Sequence, residues 1–156
     1  MTKVLNLGSG SMGKQEGVIN VDCRDLPTTD VVADVTDLPF KDGEVEGAMS
    51  RNLIEHFGRH EIEGLLKEWA RVIKKGGFLR VETVDMGRTM DRWKTIPEEN
   101  LLDGALGAQT YPENFHKMLF TREILERFMS KDFEKLDVKQ FEAREIPRII
   151  ITGIKK

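Results

Sequence analysis

The chain holds a single cysteine, Cys23. An internal disulfide is therefore impossible, and a Cys/His zinc cage is disfavoured. No metal site is expected. Neither charge is in excess: 24 Lys and Arg stand against 27 Asp and Glu, for a net charge of −3. Such a balanced domain is a poor non-specific binder of nucleic acid. No apolar stretch approaches the roughly 20 residues of a membrane helix. The opening MTKVLNLG passes directly into a short apolar run, without the layout of a secretory leader. The expected location is cytoplasmic, with no membrane partner. Repeats, low-complexity tracts and long charge blocks are absent as well. What is there is 156 residues, 39% of them hydrophobic. That suits one domain over 1–156 with its own core.

Five short apolar runs lie in the first half: Val4 to Leu7, Val18 to Val21, Val31 to Ala33, Val45 to Met49 and Phe78 to Val84. Each is bounded by Gly, Asp or Pro and reads as a buried strand. A helix is expected from about Arg59 to Lys75. Ile62, Leu65, Leu66, Trp69, Val72 and Ile73 form one apolar stripe there, which makes Trp69 a core residue. Lys74 and Lys75 suit a helix C-terminus, and Gly76-Gly77 reads as its stop. A second helix is expected from Thr121 to Met129, with Thr121 as N-cap and Phe120 stapled onto Leu125.

Two strands of different character close the chain. FEKLDVKQF (133–141) is charged and half-alternating, whereas RIIITGI (148–154) is almost wholly apolar. Six residues between them allow a hairpin but no helical crossover. The lysine-bearing strand tolerates a sheet edge, and the isoleucine-rich one needs neighbours on both sides. The last strand is therefore expected to insert into the sheet, with its predecessor outermost. Residues 85 to 118 fit no regular pattern. They hold Trp93, Tyr111, Pro112 and His116, and read as a lid or substrate segment.

The segment LNLGSGSMG ends a strand at Leu7 and places Gly8, Gly10 and Gly13 in GxGxxG spacing. Glycine there lets the backbone turn sharply and approach a ligand. The second strand ends in Asp22, positioned to accept ribose hydroxyls. The spacing departs from a dinucleotide fold, because Gly8 and Asp22 are only 14 residues apart, against about 20 from glycines to acid. The connection of ten residues (8–17) leaves room for one helical turn at most. Without that helix there is no N-terminus to hold a pyrophosphate, so the expected ligand has no phosphates. In DVVADVTDLPF, Asp34 could accept from an exocyclic amine and the next backbone N–H could donate to a ring nitrogen. Asp34 and Asp37 equally suit turn capping.

These pieces together resemble the class I S-adenosylmethionine-dependent methyltransferases, in a methyltransferase-11-like pattern with a shortened first crossover. The likeness is carried by LNLGSG (5–10), VINVD (18–22), VVADVTDLPF (31–40), SRNLIEHF (50–57), LLKEWARVIKKGGFLRVE (65–82) and the terminal hairpin. It implies an α/β, Rossmann-like doubly wound sheet, mostly parallel, of seven strands in the order 3-2-1-4-5-7-6. It implies S-adenosyl-L-methionine as cofactor. Leu7, Gly8, Ser9 and Gly10 would pass under its methionine part, and Asp22, followed by Cys23, would hold the ribose. Asp34 and the Val35 backbone would meet adenine. Ser50, Arg51 and Asn52 would face the amino-acid end. Asn6 stands where the family commonly has an acid. The missing first helix leaves one sheet face thinly covered, for the lid or a second copy in a homodimer to close.

Methyl transfer from a sulfonium is an in-line displacement in which the protein mainly supplies alignment. SRNL after strand four is not the Asn/Asp-Pro-Pro-aromatic motif of amino-methylating nucleic-acid enzymes, which argues against nucleic acid as substrate. The candidate bases are His56, Glu55 and His116; an unperturbed histidine pKa of about 6.5 suits proton removal. His60 reads as a solvated helix-start residue, and Trp93 is open to a ligand role. The expected activity is methylation of a small-molecule or sugar-type acceptor, with oxygen the favoured atom. Two other readings stand beside it: a cofactor-binding partner subunit without turnover, and an NAD-dependent oxidoreductase, which the short crossover disfavours.

Overall fold

The computed structural model describes residues 3–111 and 114–156. Met1, Thr2, Pro112 and Glu113 lie outside the described residues. Seven strands form one sheet: β1 (Val4–Leu7), β2 (Val18–Asp22), β3 (Val31–Val32), β4 (Val45–Arg51), β5 (Ile73–Val84), β6 (Phe133–Ala143) and β7 (Ile146–Lys155). Their order is β3-β2-β1-β4-β5-β7-β6, as the resemblance implied. The first five run parallel, while β7 is antiparallel to both β5 and β6. The apolar β7 sits inside and the lysine-bearing β6 lies at the edge, where its unpaired side is least hazardous.

Strand alternation divides the sheet into two faces. Leu5, Leu7, Val21, Ala48, Leu79, Val81, Ile149 and Ile151 are fully buried on one of them. Helices α1 (Ile62–Val72) and α4 (Arg122–Met129) pack there. α1 buries Ile62, Leu65, Leu66, Trp69, Ala70 and Val72. Each of the larger side chains contributes about 1.5–3 kcal/mol of burial. Thr121 caps α4 by accepting the Ile124 N–H at 3.4 Å, and Phe120 and Leu125 are both buried in the core. On the other face Met49, Phe78, Thr152 and Ile154 are half-buried, and Arg51 and Arg80 are exposed.

Two expectations are corrected. α1 ends at Val72 instead of Lys75, and β5 begins at once with Ile73, which pairs with Val45. Gly76 (φ 77°) and Gly77 thus form an irregularity inside the strand and not a helix stop; pairing resumes at Gly47–Phe78. The terminal hairpin is also tighter than a six-residue loop. β6 and β7 pair up to Ala143–Ile146, so only Arg144 and Glu145 turn the chain, both with positive φ. That twist matches the strands on either side.

No helix forms in residues 8–17, and a buried polar ladder stands in its place. Asn6 donates to Asn20 on the next strand at 2.9 Å. Asn20 in turn donates to the carbonyls of Met12 and Thr28. Asn6, where the family commonly has an acid, therefore holds the loop. Segment 85–118 contains α2 (Met86–Asp91) and α3 (Glu98–Leu106). Among the described residues, no helix is long and apolar enough to cross a membrane.

Candidate cofactor and acceptor site

A cavity of about 330 Å³ opens at the carboxyl ends of β1, β2 and β4. That is in the size class of small-ligand pockets, roughly 300–1,000 Å³. Gly8, Asp22, Ala33, Asp34, Val35 and Asn52 form part of its wall. The parallel register explains the convergence: Leu7 lies beside both Val21 and Ser50, so the three strand ends finish side by side.

Asp22 is the most constrained group in this wall. It is 3% exposed. Its Oδ2 accepts the Gly10 N–H at 2.7 Å; its Oδ1 accepts the Arg24 N–H and Nε–H, each at 3.0 Å. Burial alone pushes the carboxyl up, but the Arg24 guanidinium and the two backbone N–H groups outweigh it and hold Asp22 below its ordinary range. It is therefore an ionised acceptor. The Cys23 thiol adds a weak contact to Oδ1 at 3.9 Å, so the carboxylate is close to fully partnered. The Arg24 guanidinium also lies over the Tyr111 ring at 5.3 Å, bridging the cavity floor to segment 85–118.

Gly8 (φ 63°) and Gly10 (φ 54°) sit in the left-handed region. A Cβ on Gly8 would come within 2.6 Å of Leu53 Cδ1, so backbone and Leu53 pack in direct contact at the cavity wall. Asp34 accepts from the Thr36 N–H and hydroxyl at 2.8 and 2.7 Å. It caps a turn and lines the cavity at once. The neighbouring Val35 carbonyl accepts Trp69 Nε1–H at 3.0 Å. Trp69 is fully buried, as its place on the stripe required, and it ties the helical core to the cavity wall.

Asn52 adopts φ 52°, a region asparagine tolerates better than most residues. Its N–H donates to Glu82 O at 3.0 Å and its side chain accepts from Arg148. Arg51 turns elsewhere: it pairs with Glu82 at 3.1 Å and lines a shallow concavity with Arg80 and Lys139. Glu82 thus pairs with Arg51 and Arg148 (3.5 Å), not with Arg80. Leu7, Ser9, Gly10 and Ser50 border the strand ends without lining the cavity. Cys23 is exposed and lines it.

His56 lies in the 3₁₀ turn Ile54–His56 after β4 and lines the cavity; His116 comes from segment 85–118. Their rings meet edge-on with centroids 5.0 Å apart. Each Nδ1 lies 3.0 Å from a backbone carbonyl, Phe115 O for His56 and Gly104 O for His116. A carbonyl only accepts, so each neutral ring carries its proton on Nδ1 and presents Nε2 as the lone pair. Burial pushes the His116 pKa down, and the nearby His56 and Arg148 add to this against the Glu55 charge. Trp93 is exposed and lies outside the cavity wall, and His60 is exposed.

Arg24 lines the cavity without any sequence motif that marks it, whereas Leu53 and Phe57 lie in SRNLIEHF, where the resemblance assigns them no role. Tyr111 and Lys117 belong to segment 85–118, whose irregular composition was the available signal.

Residues 13–81 match the family described as a methyltransferase domain. No curated protein matches the chain in sequence. Several solved structures share its fold. A protein from Pyrococcus horikoshii OT3 is 19% identical, with a TM-score of 0.72 over 99% of this chain and 82% of that one. A Thermotoga maritima S-adenosylmethionine-dependent methyltransferase, described as a possible histamine N-methyltransferase, is 22% identical. Its TM-score is 0.66 over 100% of this chain and 83% of that one. The Burkholderia thailandensis 1,6-didemethyltoxoflavin-N1-methyltransferase, solved with its substrate and S-adenosylhomocysteine, is 13% identical; the TM-score is 0.72 over 99% and 72% of the two chains. The family match over residues 13–81 and the strand order both support a class I S-adenosylmethionine-dependent methyltransferase.

Proposed function

We propose that the chain transfers a methyl group from S-adenosyl-L-methionine to a hydroxyl of a small, sugar-type acceptor. The observation that carries the cofactor half is the buried, ionised Asp22 at the floor of a cavity walled by Gly8, Asp34 and Val35. A carboxylate there suits a ribose diol, and no helix N-terminus is present to favour a pyrophosphate. Gly8, Ser9 and Gly10 would lie under the methionine part, Asp34 and Val35 beside the adenine, and Ser50 and Asn52 toward the amino-acid end. One adjustment is required. Two ribose hydroxyls need two acceptor sites on Asp22, so the Arg24 side chain must swing away; it is 45% exposed and free to do so.

The cofactor supplies a methyl group already activated as a sulfonium substituent. The protein's own part is alignment and proton removal. His56 faces the cavity with its Nε2 edge free of the Phe115 contact, and would take the acceptor's hydroxyl proton as the oxygen–carbon bond forms and the carbon–sulfur bond breaks. S-adenosylhomocysteine leaves as the neutral thioether. His116, held neutral by burial, is the second lone pair at the same place. Tyr111 and Lys117 of segment 85–118 stand on the same cavity wall as His56.

The reading is tested by single-turnover transfer of labelled methyl to a panel of monosaccharides, amines and carboxylates. Transfer to a sugar hydroxyl, lost in His56→Ala at unchanged cofactor affinity, is the expected result. Transfer to nitrogen alone would overturn the oxygen assignment. Cofactor binding without any transfer would favour a partner subunit without turnover.

A further inference from the structure

Glu55 is 2% exposed, and neither of its carboxylate oxygens has a hydrogen-bond partner among the described residues. A buried unpaired carboxylate is among the costliest groups a fold can hold, so its retention calls for a reason outside the resting protein. Its surroundings are well defined. The Glu55 carbonyl accepts the Lys117 N–H at 2.8 Å and the Met118 N–H at 3.2 Å, so the chain around residues 115–118 lies across it as a strap. Glu55 acts electrostatically on both His116 and Arg148. Arg148 is itself buried, bonded to Asn52 and Glu82, and its Nε has no partner.

A count of open valences shows what is missing. The two Glu55 oxygens are buried acceptors without donors, and Nε2 of His56 and of His116 is a further acceptor in each neutral ring. Among the buried side-chain atoms without a partner, the groups able to donate are the Arg148 Nε–H and the Ser9 and Ser50 hydroxyls. Neither Glu55 oxygen has a donor, and an anion at this place would add acceptors and repel the Glu55 carboxylate. A molecule carrying several hydroxyls supplies donors without negative charge.

We propose that Glu55, with His56 and His116, forms the acceptor subsite, built for a non-anionic polyhydroxyl molecule that reaches Glu55 when the strap lifts. This rests on the methyltransferase reading above and specifies its substrate class. Glu55 binds one hydroxyl while a histidine Nε2 receives the proton of another. Glu55 is an acceptor-binding residue retained at a cost to stability.

The test uses the full chain saturated with S-adenosylhomocysteine, whose binding is first verified by calorimetry. The three imidazole signals are followed by NMR as glycerol, the simplest polyol, or acetate is added. Glycerol is expected to shift His56 and His116 but not the exposed His60, and acetate to shift none of them. Glu55→Gln should abolish the glycerol response. It should also raise Tm by about 2–4 °C, as removal of an unpaired buried charge from a chain of this size predicts. A response to acetate, no response to glycerol, an unchanged response in Glu55→Gln, or a lower Tm in that variant would each overturn the subsite. Failure of S-adenosylhomocysteine to bind would instead bring down the cofactor reading, and the subsite with it.

Discussion

Arg24 donates its Nε–H to Asp22 Oδ1 at 3.0 Å while its guanidinium lies over Tyr111. One side chain thus neutralises the buried carboxylate and ties it to segment 85–118. The contact competes with the proposed ligand for the same oxygen. Arg24→Ala should therefore tighten S-adenosylhomocysteine binding by about 2–5-fold, the range of one net exposed hydrogen bond. Calorimetry measures this directly, and weaker binding would make Arg24 a ligand contact.

The close fit of Gly8 against Leu53 gives a second expectation. Gly8→Ala places a Cβ 2.6 Å from Leu53 Cδ1 on a backbone with φ 63°. Strain and overpacking together should cost about 1–3 kcal/mol. The loss would appear in denaturant unfolding, along with reduced cofactor affinity. Leu53→Ala in the same chain should restore part of the stability, since it removes the clash but not the positive φ.

His116 predicts a pH dependence. Burial holds its pKa below the ordinary 6.5 in the folded chain. The unfolded chain therefore binds the proton first as the pH falls. By linkage, stability falls as pH drops from 6.5 to the folded pKa, and this contribution levels off below it. The difference in Tm between the parent and His116→Gln should thus change across this window and be constant above pH 7.5. A difference independent of pH would show that His116 does not titrate as described.

Trp69 links core and cavity through its Nε1–H to the Val35 carbonyl. Trp69→Phe keeps most of the packing and deletes the donor. Leaving a buried carbonyl unpaired should cost about 1–3 kcal/mol. Cofactor affinity should weaken as well, because Val35 stands in the cavity wall. A stability loss with unchanged affinity would confine Trp69 to a core role.

The terminal hairpin was legible because the chemistry of its strands differs: a lysine-bearing strand and an isoleucine-rich one can exchange places only at a cost. The end of α1 was not. Gly76-Gly77 has the same signature as a helix stop and as a strand irregularity, and only the Ile73–Val45 pairing distinguishes them. In the site, Gly8, Asp22, Asp34, Val35, Asn52 and His56 carry motif positions and do meet at one cavity. Arg24 follows from side-chain rotamer and packing, which leave no spacing signal. Arg51 sits on the motif, but alternation along β4 turns its side chain to Glu82. Glu55 was visible as a titratable residue; that its carboxylate has no hydrogen-bond partner among the described residues emerges only once the strap is in place.

The most direct measurement of the central claim is calorimetric titration of the parent and of Asp22→Ala with S-adenosylhomocysteine and with NAD. The account predicts that the parent binds S-adenosylhomocysteine and not NAD, and that Asp22→Ala binds at least about 10-fold more weakly, as loss of a charged hydrogen-bond acceptor requires. The carboxylate is held below its ordinary range, so the parent's affinity should be flat from neutrality down to about pH 5. Equal affinity in the two proteins, or binding of NAD instead, would contradict it.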